Sequence, residues 1–138
     1  IVESTFDGGL ESFMPFATPE AIQQIAWLGS DFVTAEGKLK FSIHALVIES
    51  DNRRILVDTC VGNEKDRPAF AIWHMQQYAF LQDLVRAGFP PETIDTVLCT
   101  HLHLDHVGWN TRLDRNCLNG MPDASSATSW ATPNRMLS

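Results

Sequence analysis

Positions 100–108 read THLHLDHVG, a run that places three imidazoles and one carboxylate within six consecutive residues. In extended backbone, side chains two residues apart point to the same side, so His101 and His103 can reach one metal ion together. As the chain then turns, Asp105 and His106 can reach a second ion nearby. Such a dense group of ligands favours a metal site over the alternative interpretation, a hydrogen-bonded polar loop at the end of a strand.

The combination of neutral imidazole and carboxylate indicates which ions this run would hold. These ligands are borderline rather than soft, which suits zinc and also manganese, iron or cobalt. A bound divalent ion makes hydroxide available near neutral pH, and two ions about 3.5–4 Å apart clamp both reacting oxygens. The run therefore predicts a hydrolase with a two-metal site, in which Leu102 and Leu104 point into the core and fix the loop.

The segments before this run predict strands that alternate with helices. The segment 94–100 is apolar and β-branched, which is typical of an interior strand covered on both faces. Apolar and polar residues alternate from position 39, and the polar turn at 50–52 predicts a hairpin. The predicted elements are helices at 21–28 and 72–87 and strands at 39–48, 55–57 and 94–100. Hairpin, helix and strand in this order indicate the α/β class.

The run HLHLDH at 101–106, preceded by an apolar strand with Thr100 and followed by Val107 and Gly108, resembles the HxHxDH signature of the metallo-β-lactamase superfamily. The segment ILVDT at 55–59 is similar to the strand of that superfamily that ends in an Asp near the metal loop. The resemblance covers about residues 39–112 and is nearest to the lactonase and organophosphate-hydrolase-like branch. It implies an α/β fold of the α+β sandwich type, half of an αββα metallo-β-lactamase fold, with a mixed sheet and covering helices.

The resemblance also implies a role for each residue of the run. His101 and His103 match the ligands of the first metal, and Asp105 and His106 match those of the second, in a zinc site that also suits manganese, iron or cobalt. Asp105 is in addition the catalytic residue that holds the nucleophilic water or takes the proton of the leaving group. Asp58 either orients a ligand imidazole through a hydrogen bond or caps the loop that follows it, and the two roles are compatible.

The chain departs from the family downstream of the run. Family members complete both metals with further His and Asp ligands, whereas this sequence has no His after His106. We therefore expect residues 1–115 to form the N-terminal part of a metallo-β-lactamase-like domain, and 116–138 to be an irregular tail that is disordered or, after truncation or a frameshift, not family sequence. The implied function is hydrolysis by metal-bound hydroxide of an ester, lactone or similar bond, impaired by truncation. The alternative is a catalytically inactive metal-binding fragment that needs a partner chain.

Several tryptophan and cysteine side chains are assigned from their position alone. Trp27 is predicted to face inward from the first helix, and Trp109 is the aromatic residue next to the metal run that would suit a substrate wall. Cys60, Cys99 and Cys117 form no CxxC pair and no even disulfide framework, so we expect structural thiols in a reducing compartment. This predicts a cytoplasmic protein, although a sequence that begins at Ile1 leaves export open.

Composition limits the partners of the chain. A formal net charge of −7 and a pI of about 5.0 disfavour nucleic acid and anionic lipid. Every apolar run is much shorter than the roughly 18 residues that a membrane span needs, so we expect no membrane-spanning segment. The remaining expected partners are a small-molecule substrate and either a second copy of the chain or a complementing chain.

Overall fold

The computed structural model describes residues 1–8, 14–113 and 127–129. The chain divides into two compact units, Ser4–Ser42 and a second that joins Ile1–Glu3 to Ile43–Ser138. The strands are β1 (Val2–Asp7), β2 (Lys40–His44), β3 (Leu46–Ser50), β4 (Arg53–Val57), β5 (Thr96–Leu98), β6 (Thr111–Leu113) and β7 (Ala127–Ser129). The helices are α1 (Pro19–Gln23) and α2 (Phe80–Arg86), with 3₁₀ turns at Ala71–Trp73, Pro91–Thr93 and Gly108–Asn110.

The predicted hairpin is confirmed in the larger unit, although its first strand is shorter than predicted. The predicted strand 39–48 is two strands, β2 and β3, which lie in different sheets. β3 and β4 pair antiparallel, with Leu46 opposite Val57. Asp51 and Asn52 form the turn with positive φ angles of 50° and 59°, the left-handed conformation that two-residue hairpin turns require. The polar residues of the turn and the apolar strands on either side therefore determine the register of this pair.

β5 pairs with β4 in parallel, with Val57 opposite Leu98 in register. The carboxyl ends of both strands therefore lie side by side, and the loops that leave them start at the same end of the sheet. The prediction of an interior strand over 94–100 is wrong in two respects. β5 is shorter, and it lies at the edge of this three-stranded sheet, where Leu98 is 42% exposed.

Helix α2 buries one apolar face in the core, next to the three-stranded sheet. Phe80 and Leu84 are four residues apart, so they lie on one face of the helix, and both are fully buried together with Leu56 of β4. Each such side chain stabilises the fold by about 2–3 kcal/mol through burial. The helix ends before Gly88, whose φ of +88° is readily adopted only by glycine.

The predicted helix 72–87 is α-helical only from Phe80, and its first half contains no more than the 3₁₀ turn Ala71–Trp73. Its backbone groups pair with the preceding loop instead, since Met75 N donates to Lys65 O at 2.9 Å and Tyr78 N donates to Asn63 Oδ1 at 2.6 Å. The side chain of His74 also bonds to this loop, because its Nδ1 accepts from Arg67 N at 3.0 Å. These long-range bonds replace the bonds four residues apart that a helix would form.

The smaller unit contains α1 and most of the strands β1 and β2, which form a two-stranded sheet. Thr18 caps α1 by accepting from Ala21 N at 3.3 Å, and Pro19 occupies the first turn, as the sequence pattern favours. The helix ends at Gln23, earlier than the predicted 21–28. Trp27 therefore lies beyond the helix and is 77% exposed, so the prediction that it faces inward is wrong.

The predicted tail 116–138 lies outside the described residues except for β7. This short strand pairs antiparallel with β6, with Thr111 opposite Ser129, at a place where the sequence shows no strand pattern. The domain boundary at 115 stays a prediction. In the described ranges, no helix has the length and apolar character to cross a membrane.

Candidate metal centre

The loops that follow β4 and β5 lie against each other and bring the predicted site residues together. Asp58 N donates to Leu98 O at 2.8 Å, and Thr59 N donates to His106 O at 2.8 Å. Gly108 N returns a bond to Cys60 O at 2.7 Å. The carboxyl ends of neighbouring parallel strands are the usual place for a functional site in a sheet of this kind.

Asp58 connects the two loops through its carboxylate. Oδ1 accepts from Thr100 N at 2.8 Å, Oδ2 lies 2.8 Å from the Thr100 hydroxyl, and Oδ2 is also 2.8 Å from His106 Nδ1. Burial raises the pKa of Asp58, but the hydrogen bonds from His106 and Thr100 outweigh burial and hold the pKa below its usual value. Asp58 therefore presents an ionised carboxylate to the imidazole, in the arrangement that fixes a ligand histidine.

The three imidazoles of the run converge. The ring centroids of His101 and His106 are 4.0 Å apart, and those of His101 and His103 are 4.5 Å apart. His106 Nε2 lies 3.4 Å from Asp105 Oδ2. All four predicted metal ligands are thus neighbours in space, and His106 has Asp58 on its Nδ1 side and Asp105 on its Nε2 side.

The imidazoles and the carboxylate of the run are chemically suitable ligands for zinc. Their rings, however, are not oriented as the ligands of one ion. His101 Nε2 lies 3.0 Å from His103 Nδ1, so one of these nitrogens carries a proton toward the other. Two ligands of one ion would instead both present lone pairs to it. Accordingly, in the part of the chain that the structure describes, no three His, Cys, Asp or Glu side chains are arranged as a ready metal-holding group.

Several positioning residues were not predicted from the sequence. The hydroxyl of Thr100 lies between Asp58, His101 Nδ1 at 3.1 Å and His106 Nδ1 at 3.4 Å. Thr59 is fully buried, and its hydroxyl lies 2.8 Å from Asn110 Oδ1. Thr100 directly precedes the histidine run and Thr59 directly follows Asp58, so a rule that favours hydroxyls next to predicted site residues would have found both.

Trp109 and Leu102 do not occupy the predicted places. Trp109 is 5% exposed, stacks on Phe80 at 5.7 Å between ring centroids, and donates from Nε1 to Glu3 at 2.6 Å. It is a core residue and does not form a substrate wall. Leu102 is 83% exposed, because the run leaves the sheet as an irregular loop and not as extended strand.

Cys60 is a structural thiol, as predicted. It is fully buried, and burial raises the pKa of its thiol far above the usual value, with the negative charge of Glu3 adding to the effect. The thiolate that a nucleophile requires is therefore disfavoured at this position.

Three solved structures share the fold of the chain. A dizinc quorum-quenching lactonase, AidC, in complex with the product N-hexanoyl-L-homoserine, is 25% identical with a TM-score of 0.56, over 83% of this chain and 35% of that chain. A probable metal-dependent hydrolase from Staphylococcus aureus is 18% identical with a TM-score of 0.53, over 76% and 37%. The hydrolase AbOPH of the beta-lactamase superfamily is 24% identical with a TM-score of 0.52, over 78% and 33%.

The chain spans about a third of the length of these three proteins. No curated protein matches its sequence. Residues 40–117, more than half of the chain, match the sequence profile of the Metallo-beta-lactamase superfamily, and this range contains both the Asp58 loop and the histidine run. The chain therefore belongs to the metallo-β-lactamase superfamily.

Proposed function

We propose that the chain carries part of the active site of a metal-dependent hydrolase that cleaves an ester, lactone or similar bond. The observation that carries this proposal is the convergence of three imidazoles, with ring centroids 4.0 and 4.5 Å apart, at the carboxyl ends of two parallel strands. His101 and His103 would hold one zinc ion, and Asp105 and His106 would hold a second. The dizinc lactonase that shares the fold supports zinc as the metal.

The side chains around His106 prepare it for this role. Asp58 accepts from His106 Nδ1, which fixes the tautomer that leaves the lone pair of Nε2 on the side of Asp105. Thr100 holds Asp58 in turn through its amide and hydroxyl. When bound, zinc lowers the pKa of water and polarises the bond under attack. The carboxylate of Asp105 would orient the attacking water, accept its proton and pass that proton to the leaving oxygen as the carbon–oxygen bond breaks.

The substrate class follows from charge and from the superfamily. A net charge of −7 disfavours polyanions such as nucleic acid, so a small neutral ester or lactone fits better. The lactonase structure holds the product N-hexanoyl-L-homoserine. We accordingly choose acyl homoserine lactones and aryl esters as the first substrates to test.

A second candidate function is a catalytically inactive metal-binding fragment that needs a complementing chain or a second copy. One face of the three-stranded sheet favours it, because Leu46, Val57 and Leu98 are in register on that face and both Leu46 and Leu98 are exposed. An apolar sheet face of this kind is normally covered by another layer. The coverage of about a third of the related structures supports the same view.

Hydrolysis of acyl homoserine lactones and aryl esters with and without a chelator separates the two candidates. We expect turnover in the presence of zinc that disappears on chelation, and that falls by about 100-fold or more in Asp105→Asn, because the general acid–base group is lost. Asp83→Asn on α2, which changes a carboxylate that pairs with Arg86, is the matched control and should keep the rate. Zinc binding without turnover would favour the inactive fragment, and turnover that survives chelation would contradict both candidates.

A further inference from the structure

Glu3, far from the histidine run in sequence, contacts both loops of the candidate metal centre. Its Oε2 accepts from Val61 N at 2.8 Å, and its Oε1 accepts from Gly62 N at 3.3 Å. The same Oε1 accepts from Trp109 Nε1 at 2.6 Å. One carboxylate thus binds the loop that follows Asp58 and the turn that follows the histidine run.

We propose that Glu3 is a positioning residue that sets the spacing of these two loops, so that Asp58 reaches His106 Nδ1. This inference rests on the proposed function for its consequence, which is a preorganised histidine ligand. Nothing in the superfamily signature at 101–106 includes this residue, which comes from the first strand of the chain.

A continuous set of backbone hydrogen bonds connects Glu3 to His106. Gly108 N donates to Cys60 O, Trp109 N donates to Thr59 O at 2.9 Å, and Thr59 N donates to His106 O. Glu3 binds the loops at one end of this set of hydrogen bonds, and the Asp58–His106 bond lies at the other end. A shift of one loop at the Glu3 end therefore displaces Asp58 relative to the imidazole.

The two carboxylate oxygens of Glu3 make this arrangement specific. Burial raises the pKa of Glu3 above its usual value, and the hydrogen bonds from Val61, Trp109 and Gly62 and the positive charge of Arg67 only partly oppose that rise. Only a carboxylate offers two acceptor oxygens to three N–H groups, whereas a glutamine amide would turn donors toward one of them. The indole of Trp109 is fixed by its stacking on Phe80. Its N–H group therefore cannot follow an acceptor oxygen that has moved.

The first test uses the metal-free chain and observes the imidazole of His106 by nitrogen-edited NMR. We expect the wild type to show the Nδ1–H tautomer with a hydrogen-bonded proton, and Glu3→Gln to lose that signal while urea unfolding still shows a folded chain. Glu49→Gln, on an exposed carboxylate that pairs with Arg54, is the matched control and should keep the signal. A folded Glu3→Gln with the wild-type signal would overturn the inference.

The second test measures zinc affinity by titration. We expect Glu3→Gln to weaken zinc binding by about tenfold, as the loss of a residue that orients a ligand does, and Glu49→Gln to leave it unchanged. If Glu3→Gln does not fold, Trp109→Phe removes one donor and keeps the stacking. Equal zinc affinity and an unchanged His106 signal in Trp109→Phe would then overturn the inference. Absence of zinc binding in the wild type would defeat the proposed function, while the NMR result would still decide the role of Glu3.

Discussion

Asp58→Asn is expected to weaken zinc binding and zinc-dependent hydrolysis by about 10- to 100-fold without unfolding the chain. The carboxylate Oδ2 lies 2.8 Å from His106 Nδ1, and its ionised form is favoured because hydrogen bonds lower the pKa of Asp58. An asparagine keeps an oxygen for Thr100 N but places an amide near the imidazole. It therefore favours the tautomer with the proton on Nε2, the nitrogen that faces Asp105.

Asp95→Asn is the matched control for this prediction. Asp95 also accepts from a backbone amide, Arg54 N at 2.8 Å, but it does so at the opposite end of β4 and β5. We expect this variant to keep the wild-type zinc affinity, as measured by competition with a chromogenic chelator. Equal affinities for wild type and Asp58→Asn would show that Asp58 only supports the loop backbone.

Gly108→Ala is expected to destabilise the chain by about 3 kcal/mol or more, at the upper end of what overpacking costs. A Cβ at this position would lie 1.8 Å from Val61 O and 2.5 Å from Gly62 N, and both are backbone atoms. No rotamer change relieves such an overlap, so the two loops of the candidate metal centre would have to separate. Urea unfolding followed by tryptophan fluorescence measures the change.

Gly29→Ala provides the comparison. A Cβ at Gly29 meets no atom within 4 Å, and its φ is not in the left-handed region. We expect its free energy of unfolding to stay within about 0.5 kcal/mol of wild type. An unfolding midpoint for Gly108→Ala equal to that of Gly29→Ala would mean that the loops are not packed as the structure shows.

The features that could be predicted from the sequence are those whose decisive information is local. The hairpin depends on apolar segments on both sides of the polar turn at 50–52, which form β3 and β4. The alternating segment before them belongs instead to β2, which pairs with β1. The histidine run lies within six positions, so its side chains had to be near each other. The family assignment rests on the same short segments.

Other predictions are wrong because of contacts between distant parts of the chain. The apolar stripe at 72–87 is helical in period, but Met75 and Tyr78 bond to Lys65 and Asn63 in place of the helical bonds. Trp109 was considered for a pocket because of its neighbours in sequence, whereas Glu3 and Phe80 hold it in the core. Glu3 itself gives no local signal, since its partners are 58, 59 and 106 positions away.

The most direct test of the account is the zinc content of the purified chain after equilibration with zinc and removal of the free metal. We expect about one to two equivalents per chain, reduced several-fold in His103→Ala and unchanged in His44→Ala, which alters an exposed histidine of β2 outside the run. Elemental analysis gives the number. A wild-type chain that holds no more zinc than His103→Ala would contradict the claim that residues 101–106 form a metal centre.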